Sequence, residues 1–157
     1  MARARQAVRG RGKVVRHPPL GRLLGQVERQ VSRLVEGALA GHGLTVDQWR
    51  VIDVLADGQG HPMSELAATI VVPGPTLTKI VDKLVDAALV YRLVDDRDRR
   101  RVLAFLSEKG RKLHSGLAPK VGATEAEAVG DLGDDALVLL ELLSRLTDAQ
   151  PGPGSRS

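Results

Sequence analysis

Between Met63 and Leu106 the apolar positions change their spacing twice, and each change marks a different element. Leu66 and Ile70 stand four apart behind Ser64 and Glu65. A hydroxyl suited to capping and an acid suited to a positive helix end predict a short helix from Ser64 to about Ile70. Val71-Val72-Pro73-Gly74 interrupts it, because proline cannot continue a helix and glycine tolerates positive φ. Pro75 suits a first helical position. From there Leu77, Ile80, Val81, Leu84 and Val85 recur at threes and fours, leaving Thr76, Thr78, Lys79, Asp82 and Lys83 off the stripe. After Ala88 the period falls to two. Leu89 to Val94 and Val102 to Leu106 are β-prone runs around a charged tip, Asp95 to Arg101, which predicts a hairpin. Two helices joined by a tight turn form a helix-turn-helix, whose second helix can enter a major groove.

The flanking segments are helical. Leu20, Leu23, Leu24, Val27, Val31, Leu34, Val35 and Ala38 make a stripe from about Leu20 to Ala40, ended by Gly41-His42-Gly43. Thr45 with Gln48 three residues on reads as a capping box opening a second helix, closed by Asp57-Gly58-Gln59-Gly60. His61-Pro62-Met63 reads as a connector or a minor third strand. Ser107 suits the cap of a helix continued by Leu113, Leu117 and Val121, which Pro119 is expected to end or kink near Ala118. Asp134 and Asp135 suit the start of a last helix, and its leucines from Leu137 to Leu146 are too many for a lone surface element. The expected fold is mainly α with a small β wing: a winged helix-turn-helix core at about 45–106 and dimerisation helices at about 20–40 and 107–148. Residues 1–18 read as a flexible basic arm and 151–157 as a disordered tail.

Composition narrows the classes. The 157 residues suffice for one domain with a real core, with 43% hydrophobic and 27% charged positions. There are no cysteines, so disulfides, thiolate metal sites and thiol switches are excluded. No apolar run approaches the roughly 20 residues of a membrane span, and the basic N-terminus lacks the apolar segment of a secretion signal. No membrane contact is therefore expected, and a cytoplasmic, nucleoid-associated location is. The net charge of +4 is unevenly spread. Arg3, Arg5, Arg9, Arg11, Lys13 and Arg16 precede the first acid, the wing region is basic, and the C-terminal helices are acidic, so one face is preferred by a polyanion. With only 2% aromatics, stacking platforms for single strands are lacking and duplex DNA is the better partner.

The Asp95-x-Arg97-Asp98-x-Arg100 spacing, followed by Leu106-Ser107-Glu108-Lys109-Gly110, resembles the wing and following helix start of the MarR family of winged-helix transcription regulators. The resemblance covers about Leu20 to Leu146. It implies a homodimer on a pseudo-palindromic operator, with half-sites about one helical turn (~10 bp) apart. It also implies a repressor released by a small, often aromatic or phenolic, anion bound between the dimer unit and the DNA-binding lobe. The first and second helices and the helix after the wing would line that crevice, with Arg22, His42, Trp49 and Arg50 as candidates. Core packing is the preferred reading of Trp49.

The DNA-binding candidates are Ser64, Pro75, Thr76, Thr78, Lys79, Lys83, Arg97, Arg99 and Arg100. Lys79 can donate to guanine or a phosphate, and Thr76 and Thr78 are short enough for base edges. Pro75 can press on a base methyl, and Ser64 can meet a phosphate. The resemblance places Arg97 and Arg99 in the minor groove, where a narrow A·T-rich tract attracts guanidinium. Asp98 is expected to hold the tip by pairing with Arg100. The four histidines, His17, His42, His61 and His114, are scattered, and none is read as sharing a helical metal-ligand spacing with another His or Glu. Asp95-Asp96 and Asp134-Asp135 read as wing scaffolding and helix starts. No cofactor, metal or enzymatic activity is expected. The rival functions are a non-specific chromosome-coating protein and a winged-helix module for protein contact.

Overall fold

The computed structural model of the protein describes residues 18–148; the basic arm and the C-terminal tail lie outside them. Six helices and three strands follow one another as α1 (Leu20–Leu39), α2 (Val46–Val54), β1 (His61–Pro62), α3 (Met63–Thr69), α4 (Gly74–Asp86), β2 (Val90–Val94), β3 (Val102–Leu106), α5 (Glu108–Ala128) and α6 (Asp135–Asp148). The fold is mainly helical with a small sheet. The capping box at α2 forms as its spacing predicts. The Thr45 hydroxyl accepts from the Gln48 amide, and the Gln48 side chain accepts from the Thr45 amide. Ser107 caps α5 by accepting from the Gly110 amide.

The three strands form an antiparallel sheet in the order β1-β3-β2. Val90 pairs with Leu106 and Val94 with Val102, so the hairpin closes across the charged tip. His61 pairs with Ala104, which makes the His61-Pro62 segment the third strand. Tyr91 and Phe105 stack on the outer face with ring centroids 5.4 Å apart. A side chain at Gly60 would collide with the Phe105 ring, and one at Gly110 would collide with the Leu89 carbonyl. These two glycines let β1 and α5 press against the hairpin.

One hydrophobic cluster joins all these parts. Val35, Ala38 and Leu39 of α1 meet Val51 and Ile52 of α2, Leu66 of α3, and Leu77, Val81 and Leu84 of α4. Ala104 and Leu106 of β3 and Leu117 and Val121 of α5 complete it. The polar edge of α4 is therefore fixed by its buried edge. Helix α6 has no buried residue, and Leu137 is 76% exposed.

Four expectations change. Helix α5 runs unbroken through Pro119 to Ala128. A proline removes one donor and crowds one carbonyl, but α1 packs along α5 and the Leu117 and Val121 contacts bracket the defect. Helix α3 begins at Met63, so Ser64 lies inside its first turn and Pro62, without a side-chain hydrogen bond, is the cap. Helix α4 begins at Gly74, which places Pro75 second. Strand β2 begins at Val90, because Ala88 takes a left-handed φ of 58° and Leu89 turns into the core.

Candidate nucleic-acid interface

The face of α4 opposite its core stripe carries Pro75, Thr76, Thr78, Lys79 and Lys83, all exposed. The i, i+3, i+4 spacing that buries Leu77, Val81 and Leu84 puts them on one side of a 13-residue helix. The Thr78 hydroxyl donates to the Gly74 carbonyl at 3.1 Å, which leaves its oxygen free to accept and its methyl outward. Ser64 is exposed in the first turn of α3 and shares a cleft with Arg100 and Arg101 of the wing. Two residues 36 positions apart are thus brought together by the pairing of β1 with β3.

The wing tip is built by two aspartates acting on the backbone. Asp95 Oδ1 accepts from the Arg97 amide at 2.9 Å, and Asp98 Oδ1 accepts from the Arg100 amide at 3.0 Å. The Asp95 amide donates to the Arg101 carbonyl and the Arg101 amide to the Asp98 carbonyl, closing the loop. The expected Asp98–Arg100 ion pair is therefore corrected. Asp98 holds the Arg100 main chain and not its guanidinium, since a short aspartate reaches an amide two residues on more readily than the end of a long side chain. Among the described residues, Arg97, Arg99, Arg100 and Arg101 pair with no carboxylate, so their charges project outward. Arg92 at the base of β2 donates to Asp82 of α4 at 2.7 Å. That bond ties wing to helix across the groove-facing side, and no pattern in the sequence announced it.

A polar helix edge, a turn before it and an unneutralised arginine tip beside it describe a groove-and-backbone reader of duplex DNA. A family model described as MarR family matches residues 42–101, which run from the turn before α2 to the wing tip. The chain is 34% identical over 104 residues to the HTH-type transcriptional regulator FarR of Neisseria gonorrhoeae, an alignment covering 66% of this chain and 71% of FarR. The chain belongs to the MarR family. Its fold matches the crystal structure of the transcriptional regulator PA4135, with a TM-score of 0.78, 29% identity, and coverage of 86% of this chain and 100% of that one. It also matches the structure of NadR in complex with 4-hydroxyphenylacetate, with a TM-score of 0.75, 29% identity, and coverage of 86% and 96%. The protein is a MarR-family transcriptional regulator with a winged-helix DNA-binding fold.

In this MarR-family chain the four candidate ligand residues are not brought together. Trp49 is only 5% exposed and lies under the His114 ring, with centroids 5.2 Å apart and planes inclined by 10°. His114, expected on a free polar face, is anchored there by Asp53 at 2.9 Å. Trp49 therefore serves the core, as its preferred reading has it, and lines no crevice. Arg22 is exposed at the start of α1, away from Arg50 and His42. Arg50 does line a crevice of about 540 Å³ between α1, α2 and the turn after α3, with Glu28, Asp53, Ile70 and Val71. Its guanidinium is already engaged. It donates to Glu28 and to the Ser32 hydroxyl at 2.9 Å each, and to Asp47 at 3.2 Å. The Ser32 hydroxyl and the Arg50 guanidinium hold the Glu28 carboxyl below its ordinary range. His42 instead lines a separate cavity of about 330 Å³ with Lys83 and Lys109.

Sequence reasoning also passed over His61. It lies in β1 rather than in a turn, with Nε2 2.8 Å from Asp57 and Nδ1 3.3 Å from Glu65 four residues on. Burial is the largest single influence and disfavours the imidazolium, but the two carboxylates together outweigh it and raise the His61 pKa. Among the described residues no group of three or more His, Cys, Asp or Glu is placed to hold a metal ion. No helix among them is long and apolar enough to cross a membrane.

Proposed function

We propose that this MarR-family regulator is a homodimeric, sequence-specific repressor that acts on chromosomal DNA in the cytoplasm. In this reading α4 enters the major groove, with Pro75, Thr76, Thr78 and Lys79 at base edges. Lys83, Ser64 and Arg100 hold phosphates, and Arg97 and Arg99 reach the minor groove. The observation that carries it is the continuous exposed surface from Lys79 through the Ser64–Arg100 cleft to the unpaired wing arginines. Dimerisation is supported by the apolar positions left open on the first and last helices: Leu20, Leu24 and Val27 on α1, and Leu137, Leu140 and Leu142 on α6. A second copy of this surface would cover both and set the half-sites about one helical turn apart. A small aromatic ligand that favours a spacing unsuited to DNA would release the operator by its differential affinity for the two forms.

The test is a competition assay against a randomised duplex library at ~150 mM salt, where non-specific contacts are largely screened. Enrichment of a two-fold pseudo-palindrome is the expected result. Binding without sequence preference would instead favour a chromosome-coating protein, and absence of binding a protein-contact module.

A further inference from the structure

We infer that the 330 Å³ cavity behind the C-terminal end of α4 is a binding site for a small organic carboxylate, and that its ligand competes with DNA for Lys83. The cavity is enclosed by the turn after α1, the last turn of α4 and the first turns of α5. Its polar donors are His42, Lys83 and Lys109, and no Asp or Glu lines it. Its apolar floor includes Leu84, Leu89 and Leu113. Acid-free basic groups over leucines match an anion with an apolar body, and the volume lies at the small end of ligand sites, about 300–1,000 Å³. The crevice at Arg50 has the opposite character, because Glu28 and Asp53 line it and Glu28 already occupies the guanidinium. An organic anion entering there must displace a carboxylate, whereas the cavity under α4 asks for no such exchange.

The helix ends favour the same occupant on balance. The C-terminus of α4 alone disfavours an anion, but Lys109 Nζ donates to the carbonyl of Ala87, its cap residue, at 2.8 Å and offsets that dipole. An ammonium has three donors, so Lys109 retains two for a carboxylate. The cavity also meets the first turns of the 21-residue α5, whose positive end favours an anion.

The regulatory consequence rests on the DNA-binding reading; the site itself does not. A carboxylate held by Lys83 withdraws that ammonium from phosphate, and one held by Lys109 strains the tie between α5 and the recognition helix. Ligand and DNA then weaken each other by the same factor.

Benzoate is a suitable probe, titrated by calorimetry into the full-length protein without DNA, with benzylamine and inorganic phosphate as controls. We expect benzoate to bind with a Kd on the order of 1 mM or tighter, and neither control to bind comparably. Lys109→Gln should weaken benzoate at least about tenfold, or about 1.4 kcal/mol, while Lys109→Arg and Arg50→Gln retain it. Circular dichroism melts of each variant separate this loss from unfolding. Benzoate that is lost in Arg50→Gln and kept in Lys109→Gln, equal binding of phosphate, or no benzoate binding would each overturn the site. A second arm measures operator affinity with and without benzoate. Weakening in the wild type that disappears in Lys109→Gln supports the coupling, and occupancy without weakening overturns it. Because the titration contains no DNA, failure of the operator reading leaves its outcome intact.

Discussion

At the residue scale, backbone strain and local charge are separable from the fold. Val71, in the turn before α4, holds a left-handed φ of 59° with its side chain 85% exposed. A β-branched residue is poorly suited to that region, at a cost of about 1–2 kcal/mol, and here it gains little burial in return. Val71→Gly should therefore raise the denaturant midpoint by a net amount of roughly 0.5–1 kcal/mol, after the greater freedom of glycine in the unfolded chain is counted. Arg99 has the opposite profile, since it has no carboxylate partner among the described residues. Arg99→Ala should leave the melting point within about 1 °C, because unpaired surface residues contribute little to stability. It should weaken specific DNA binding by about 1 kcal/mol or more; an unchanged affinity would remove its groove role. His61 makes stability depend on pH. Its raised pKa means that the imidazolium's contribution is full below the unfolded value near 6.5 and fades as pH rises through the folded value. In paired urea titrations, His61→Gln should be more destabilising at acid than at alkaline pH, by within about 1 kcal/mol since both partner carboxylates are largely exposed.

At the element scale, the relation between wing and recognition helix depends on the Arg92–Asp82 pair. Asp82→Asn gives two opposed expectations. Removing a negative charge near DNA should raise affinity everywhere, whereas freeing the wing should lower it at the operator. The bond is short and bridges two elements, so the second effect should win: specific affinity falls by about 3- to 10-fold while non-specific affinity rises slightly. A uniform rise on both kinds of duplex would show that the pair plays no part in positioning the wing. Thermal stability should move little, because Asp82 is half-exposed.

At the scale of the whole molecule, α6 is the element that a single chain leaves unfinished. It contributes nothing to the buried cluster, and its leucines face outward beside the open apolar positions of α1. Leu137→Glu should therefore leave the melting curve of an isolated chain nearly unchanged while shifting sedimentation from dimer to monomer. Operator binding should collapse with it, because one recognition helix makes half of the phosphate and base contacts. A dimer that persists in this variant would place the interface elsewhere.

The sequence by itself determined the elements whose signals are local. The Thr45–Gln48 capping box, the Ser107 cap, the core stripe of α4 and the hairpin period all depend on residues within one or two turns, where backbone hydrogen bonding and side-chain spacing decide the outcome. It also fixed which residues of α4 and the wing are left for DNA, since they are what remains when the apolar stripe is buried. Only the tertiary structure decided where signals conflict or partners are far apart. Proline at 119 is outvoted by the packing of α5 on α1, and the Asp98 carboxylate takes a nearby amide over a guanidinium. Arg92 finds Asp82, Arg50 finds Glu28, and Lys83 meets Lys109 over one cavity because the shared core sets those helices side by side. Such pairs carry no periodic trace along the chain: a long-range contact is fixed by how several buried faces pack at once, and no single segment encodes it.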